Sequence, residues 1–180
     1  MKKLTAGTQL KPHEWHDIQG KSITFPQQGY WTHIQFRRYS GCAVCNLHLH
    51  SFLSRQKELI AHRIQEIVVF SSTPERIKAD LPQCPLAIVS DVNKHFYAEF
   101  GVGTTVMAVL NPAVWLPAMR GAVQFGVQLP RDEETSLGLP ADFLIDDEGK
   151  IVAVHYGKHA YDQWSVDQLL DLVTHQGVIV

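Results

Sequence analysis

The chain has 180 residues, enough for one domain with a substantial core and few for two. Hydrophobic residues make up 45% and charged residues 19%, the balance of an ordinary globular domain. A net charge of −2 without any long basic cluster argues against nucleic acid or an anionic membrane as a partner.

Residues 1–29 show no clear periodicity and read as a loosely structured arm around a single domain spanning 1–180. Met1-Lys2-Lys3 has the charge that opens a signal peptide, but the apolar run that should follow is missing. The first strand is expected over 30–36, where Tyr30, Thr32, Ile34 and Phe36 alternate onto one face; Gly41 breaks the run. From about 43 to 62 the spacing turns helical. Leu49, Phe52, Leu53 and Ile60 form one stripe, with Arg55, Lys57 and Glu58 away from it. Residues 67–70 are a continuous apolar run, the pattern of a strand covered on both faces.

Ser72-Thr73-Pro74-Glu75 opens the next helix, with Pro74 at an early position and Glu75 completing a capping box. A second buried strand is expected at 86–89, and Asp91 caps a short helix ending at Gly101. Residues 102–138 fit neither period and read as an insertion with two readings, a cover over the site or an oligomer contact. Trp115 and Leu116 in it make a homodimer a reading to test. Its apolar part, 102–119, is interrupted by Asn111, Pro112 and Pro117 and is too short to cross a bilayer, so a cytoplasmic protein without a membrane partner is expected. Residues 143–145 and 151–156 flank Asp146-Asp147-Glu148-Gly149 as a hairpin, and Ser165-Val166-Asp167-Gln168 is a capping box opening a last helix to about 173. This order implies an α/β fold with a central mixed sheet flanked by helices.

The chemistry concentrates at Cys42-Ala43-Val44-Cys45, between a strand and a helix. Free amides and the dipole at a helix start stabilise a thiolate, so a cysteine there titrates below its usual value of about 8.5. Arg37 and Arg38 add positive potential, and two intervening residues let the sulfurs close a disulfide. A zinc site is the alternative, because His48 and His50 follow at once. On a helix these two point about 200° apart, so no metal is expected, and both histidines read as solvent-side. Cys84 reads as a buried structural thiol, or else as a second resolving cysteine. Arg120 is read either as a surface arginine or as one that polarises a bound peroxide. Walker A, GxGxxG and GxSxG patterns are absent, and no organic cofactor is expected.

Gly138-Leu139-Pro140-Ala141-Asp142-Phe143 sets a proline immediately before a strand, and with the CxxC pair it resembles the thioredoxin superfamily. The resemblance implies a thioredoxin-like fold and a cis Leu139–Pro140 bond, with Leu139 and Pro140 touching substrate beside the cysteines. Within that superfamily the stretch 36–49 and the tail 138–170 look like the peroxiredoxin-like, AhpC/TSA-type branch. Typical peroxiredoxins carry a proline and a threonine ahead of the reactive cysteine; aligned on Cys45, those positions hold Arg38 and Cys42. Typical thioredoxins place Gly-Pro between the cysteines, where this chain has Ala43-Val44. What the resemblance implies is a cysteine-based, antioxidant-type oxidoreductase acting on a hydroperoxide or a disulfide, recycled by thioredoxin or glutathione. A non-enzymatic redox sensor that uses the disulfide as a switch is the alternative. Two orders of events stay open: Cys45 attacks a peroxide and Cys42 resolves it, or Cys42 attacks a disulfide and Cys45 resolves it.

Overall fold

A computed structural model describes residues 2–131 and 134–176. Its centre is a five-stranded mixed sheet in the order β5-β4-β3-β6-β7, from β3 (Trp31–Phe36), β4 (Ile64–Phe70), β5 (Ala87–Ser90), β6 (Ala141–Ile145) and β7 (Ile151–Tyr156). β3, β4 and β5 run parallel, while β6 pairs antiparallel to both β3 and β7.

Alternation along β3 and β4 decides what each face carries. Ile34, Phe36, Ile67 and Val69 point to one side, into a cluster with Phe100, Phe143 and Ile145. Ile64, Val68 and Phe70 point to the other, where α1 (Ala43–Ser54), α2 (Gln56–Ala61), α3 (Pro74–Asp80) and α7 (Val166–Gln176) cover them. Both faces of the central strands are closed, which accounts for the unbroken apolar run of β4.

The supposed arm is structured, which corrects the expectation for 1–29. β1 (His13–His16) and β2 (Ser22–Phe25) form an antiparallel hairpin whose Trp15, Ile23 and Phe25 enter the first core cluster. Burying Ile23 and Phe25 contributes about 1.5–3 kcal/mol each, enough to hold a hairpin this short against the sheet. Asp17 organises its turn by accepting from the Gln19 and Lys21 amides at 2.8 Å each. Four-residue strands give alternation too little length to register, which is why the pattern was missed.

Other boundaries moved less. The helix expected over 43–62 is two, broken at Arg55, and Leu59 rather than the exposed Ile60 enters the core. α3 is capped by Thr73, one residue after the expected position. Asp91 accepts from the amides of His95, Phe96 and Tyr97, which opens α4 (His95–Glu99) as expected. Ser165 and Gln168 exchange reciprocal hydrogen bonds at 2.8 and 3.2 Å, the capping box read from the sequence. Residues 102–138 contain α5 (Met107–Leu110), a 3-10 turn (Pro112–Val114) and α6 (Trp115–Phe125). α6 lies across α1 at Gly121, where a Cβ would stand 2.4 Å from the Ala43 carbonyl oxygen; only a glycine permits that approach.

Candidate active site

The end of β3 fixes the site. The Arg37 amide donates to Val69, and the Ser71 amide and hydroxyl both donate to the Arg38 carbonyl, so the β3–β4 ladder extends through Arg38. The chain then turns through Tyr39, Ser40 and Gly41 into α1. A Cβ at Gly41 would stand 2.6 Å from Arg76 Nη2 and 2.9 Å from Gln128 Oε1, so the ends of both side chains pack directly on this turn. Ser40 donates to Asp80 at 2.5 Å, and Asn46 Nδ2 donates to the Ser40 carbonyl at 2.9 Å.

Cys42 is the residue that caps α1: its Sγ accepts the Cys45 amide at 3.2 Å. Arg38 Nη2 donates to the same sulfur at 2.8 Å, and Arg38 Nη1 donates to the Ser136 carbonyl at 2.9 Å. Cys42 and Cys45 are free thiols, each 2% exposed. Burial opposes charge on both sulfurs. At Cys45 it is outweighed by a hydrogen bond from the Cys42 side chain and by the Arg38 guanidinium, which together bring the thiol down to about 5. Burial and the neighbouring Cys45 push Cys42 well up. The two titrate as a pair, so one negative charge enters at low pH and a second is strongly resisted. The pair therefore shares one negative charge held by Arg38, with the Cys45 thiol lowered and the Cys42 thiol raised.

Cys42 opens onto a cavity of about 410 Å³ between α1 and α6, walled by Tyr39, Val44, Val114, Trp115, Ala118 and Met119. Part of segment 102–138 thus walls the cavity at Cys42. Beyond the cavity, Val106, Met107, Leu110, Leu116, Val123 and Leu129 are exposed apolar residues.

The remaining expected residues lie elsewhere. Arg120 is on the exposed face of α6 and forms no ion pair among the described residues. Leu139–Pro140 is trans, a correction: among the described residues the cis bond is Phe25–Pro26. The trans form fits the pairing on either side, with the Leu139 amide donating to Gly103 at 3.1 Å and the Pro140 carbonyl accepting Gly157 at 2.9 Å. Neither residue lines the cavity at Cys42. Cys84 is half-buried, and burial raises its thiol. His50 is exposed as expected, but His48 is buried, which corrects its reading. Its Nε2 donates to the Trp164 carbonyl at 2.8 Å; burial and the Arg37 charge hold it down at about 3, so it is neutral.

Sequence reasoning missed a buried polar cluster on the α1 side of the sheet. His33, Gln35 and Arg37 occupy alternate positions of β3 and its extension, beside Glu66 on β4 and Asp142 on β6. His33 Nδ1 meets Glu66 at 2.9 Å, Gln35 Nε2 donates to Glu66 at 2.6 Å, and Arg37 Nη2 donates to Asp142 at 2.7 Å. Burial opposes charge on His33, but Glu66 and Asp142 raise it to about 9. Arg37 and His33 hold Asp142 well below the carboxylate range despite its burial. The signal in the sequence was the run of polar residues at 33, 35 and 37 within an otherwise apolar strand.

The AhpC/TSA family model matches residues 6–154. No curated protein sequence matches the chain. Among solved structures it is similar to the peroxidoxin BcpB of Mycobacterium tuberculosis (15% identity, 95% of each chain, TM-score 0.62). It also resembles the thiol peroxidase of Chromobacterium violaceum (15% identity, 97% of this chain and 89% of that one, TM-score 0.61). A third is a putative thiol:disulfide interchange protein DsbE from Chlorobium tepidum (16% identity, 95% and 99%, TM-score 0.59). At such identities these likenesses establish the fold, which is thioredoxin-like as the sequence implied. The family match over most of its length makes the chain a member of the AhpC/TSA family and an oxidoreductase.

Proposed function

We propose that the protein is a thiol peroxidase in which Cys45 attacks a hydroperoxide and Cys42 resolves the product. The observation that carries this reading is the pair of free thiols at the start of α1 with the Arg38 guanidinium 2.8 Å from Cys42 Sγ, an arrangement that favours one thiolate on the pair and lowers the Cys45 thiol. The Cys45 thiolate attacks the terminal peroxide oxygen, the O–O bond breaks, and Cys45 becomes a sulfenic acid. The departing alkoxide takes the Cys42 proton and leaves as alcohol. The Cys42 thiolate, held by Arg38, then attacks the Cys45 sulfur and closes the disulfide; hydroxide leaves and is protonated to water. Thioredoxin or glutathione restores the dithiol, two electrons per turnover.

A second reading has one observation in its favour: Cys42, not Cys45, lines the cavity. On that reading Cys42 attacks a disulfide substrate and Cys45 resolves the mixed disulfide. In either case Leu139 and Pro140, which precede β6, are proposed to contact substrate on the strength of the resemblance alone. Arg120 keeps the role of an exposed residue on α6.

The exposed apolar face of 106–129 is proposed to pair with a second copy of the chain, which light scattering checks: a monomer at micromolar concentration refutes it. No helix among the described residues is long and apolar enough to cross a membrane. Function is tested by coupled turnover with a thioredoxin system, offering hydroperoxide and a protein disulfide in parallel. Hydroperoxide consumption that depends on Cys45 supports the first reading; disulfide reduction alone, through Cys42, selects the second.

A further inference from the structure

Arg38 borders a second cavity, of about 250 Å³, on its side away from Cys42. Its wall is shared by Lys94, Tyr97, Ala98, Val102, Thr104 and Thr135. The chemistry of this lining is lopsided. Arg38 and Lys94 bring positive charge, and no carboxylate stands among the described lining residues. Lys94 forms no ion pair among the described residues. Arg38 is 6% exposed, and its Nε is buried without a hydrogen-bond partner among them, although its two Nη atoms are engaged.

The other donors are hydroxyls of unequal availability. Tyr97 gives its proton to the Arg37 carbonyl and Ser71 gives its own to Arg38. Thr104 makes no side-chain hydrogen bond, and Thr135 only accepts, from the Leu137 amide, so both retain a free proton. The rest of the wall is apolar: the Tyr97 ring, Ala98 and Val102. Lys94 itself has a left-handed backbone, φ 57°, ahead of α4, whose first amides are already taken by Asp91. The helix start is therefore spent, and the attraction for an anion comes from side chains.

We infer that this second cavity is a binding site for a small organic carboxylate, its head between the Arg38 and Lys94 side chains and its short apolar tail against Tyr97 and Val102. The size fits: a dry cavity of about 150 Å³ holds benzene, so this one holds a carboxylate of about six carbons. A carboxylate beside Arg38 draws on the same positive charge that favours a thiolate on the cysteine pair. Occupancy and thiol reactivity are thus linked through one side chain, and by reciprocity oxidation of the thiols alters carboxylate affinity.

The test uses hexanoate as the probe and hexanol as the neutral control, on the full chain, read by amide NMR. For eight heavy atoms a dissociation constant near the millimolar range is expected. Hexanoate should give saturable shifts at Lys94, Tyr97, Thr104 and Thr135, and hexanol should not. Lys94→Gln should weaken binding about tenfold or more with the fold intact, because the side chain is half-exposed; Thr104→Val should weaken it less. Saturating hexanoate should also move the midpoint of Cys45 alkylation to higher pH. The inference is overturned if shifts at these residues do not saturate, if hexanol reproduces them, or if Lys94→Gln leaves hexanoate binding unchanged. Neither result depends on whether the enzyme consumes peroxide, so failure of this site and failure of the peroxidase reading are separable.

Discussion

Replacing Arg38 by Met isolates the charge term at the reactive pair while keeping a long side chain in place. The guanidinium nitrogen lies 2.8 Å from Cys42 Sγ, and its charge is shared with the Cys45 thiolate. At a charge separation of about 4 Å and an effective dielectric of about 20, that attraction is about 4 kcal/mol. Divided by 1.36 kcal/mol per pKa unit, its loss lifts the first thiol of the pair by about 3 units. The assay is thiolate absorbance at 240 nm, or the pH midpoint of iodoacetamide labelling, on both forms. The midpoint is the right quantity because a more basic thiolate is also more nucleophilic, which offsets part of the change at any single pH. Arg38→Lys retains the charge without the fork and should fall between the two. A midpoint for Arg38→Met within half a unit of the parent refutes the role assigned to Arg38.

Three further outcomes follow from the same geometry. His33 is raised to about 9 against about 6.5 when unfolded, so its contribution is fully present below pH 6.5 and is lost as pH rises through 9. The urea stability gap between parent and His33→Asn should therefore be about 3 kcal/mol larger at pH 6 than at pH 10, and a gap independent of pH contradicts the paired, charged His33. Gly121→Ala forces a methyl against the Ala43 carbonyl; overpacking of this kind costs about 1–3 kcal/mol despite the better helix propensity of alanine, and a stabilised variant in thermal melts argues against the close α1–α6 contact. Ser165→Ala removes half of the capping box of α7 and should lower stability by about 1 kcal/mol, or about 2–4 °C in Tm; no change would mean the cap is not formed.

Elements with a strong local signal were legible in advance: the alternation of β3, the apolar run of β4, the acidic turn of the β6–β7 hairpin, the capping box of α7, and the placement of Cys42 and Cys45 at a helix start. What escaped had physical reasons. The β1–β2 hairpin is too short for alternation to stand out, although Trp15, Ile23 and Phe25 carry its burial. His48 looked polar and solvent-facing because nothing local reveals that α7's approach through Trp164 would cover it. His33, Glu66 and Asp142 are distant in sequence, and only the strand register brings them together. Arg38 was named for its charge alone; its direct contact with Cys42 depends on how tightly Ser40 and Gly41 turn the chain. The proline at 140 was placed correctly before its strand, but its isomer is set by pairing with Gly103 and Gly157, far outside the motif.

The peroxidase reading is tested most directly by mass spectrometry after one equivalent of hydroperoxide, without reductant, on the parent and on Cys42→Ser and Cys45→Ser. The account predicts a Cys42–Cys45 disulfide in the parent, a sulfenic acid on Cys45 that accumulates in Cys42→Ser, and no rapid oxidation of Cys45→Ser. Rapid oxidation of Cys42 in Cys45→Ser, with Cys45 untouched in Cys42→Ser, would contradict it and make Cys42 the attacking thiol.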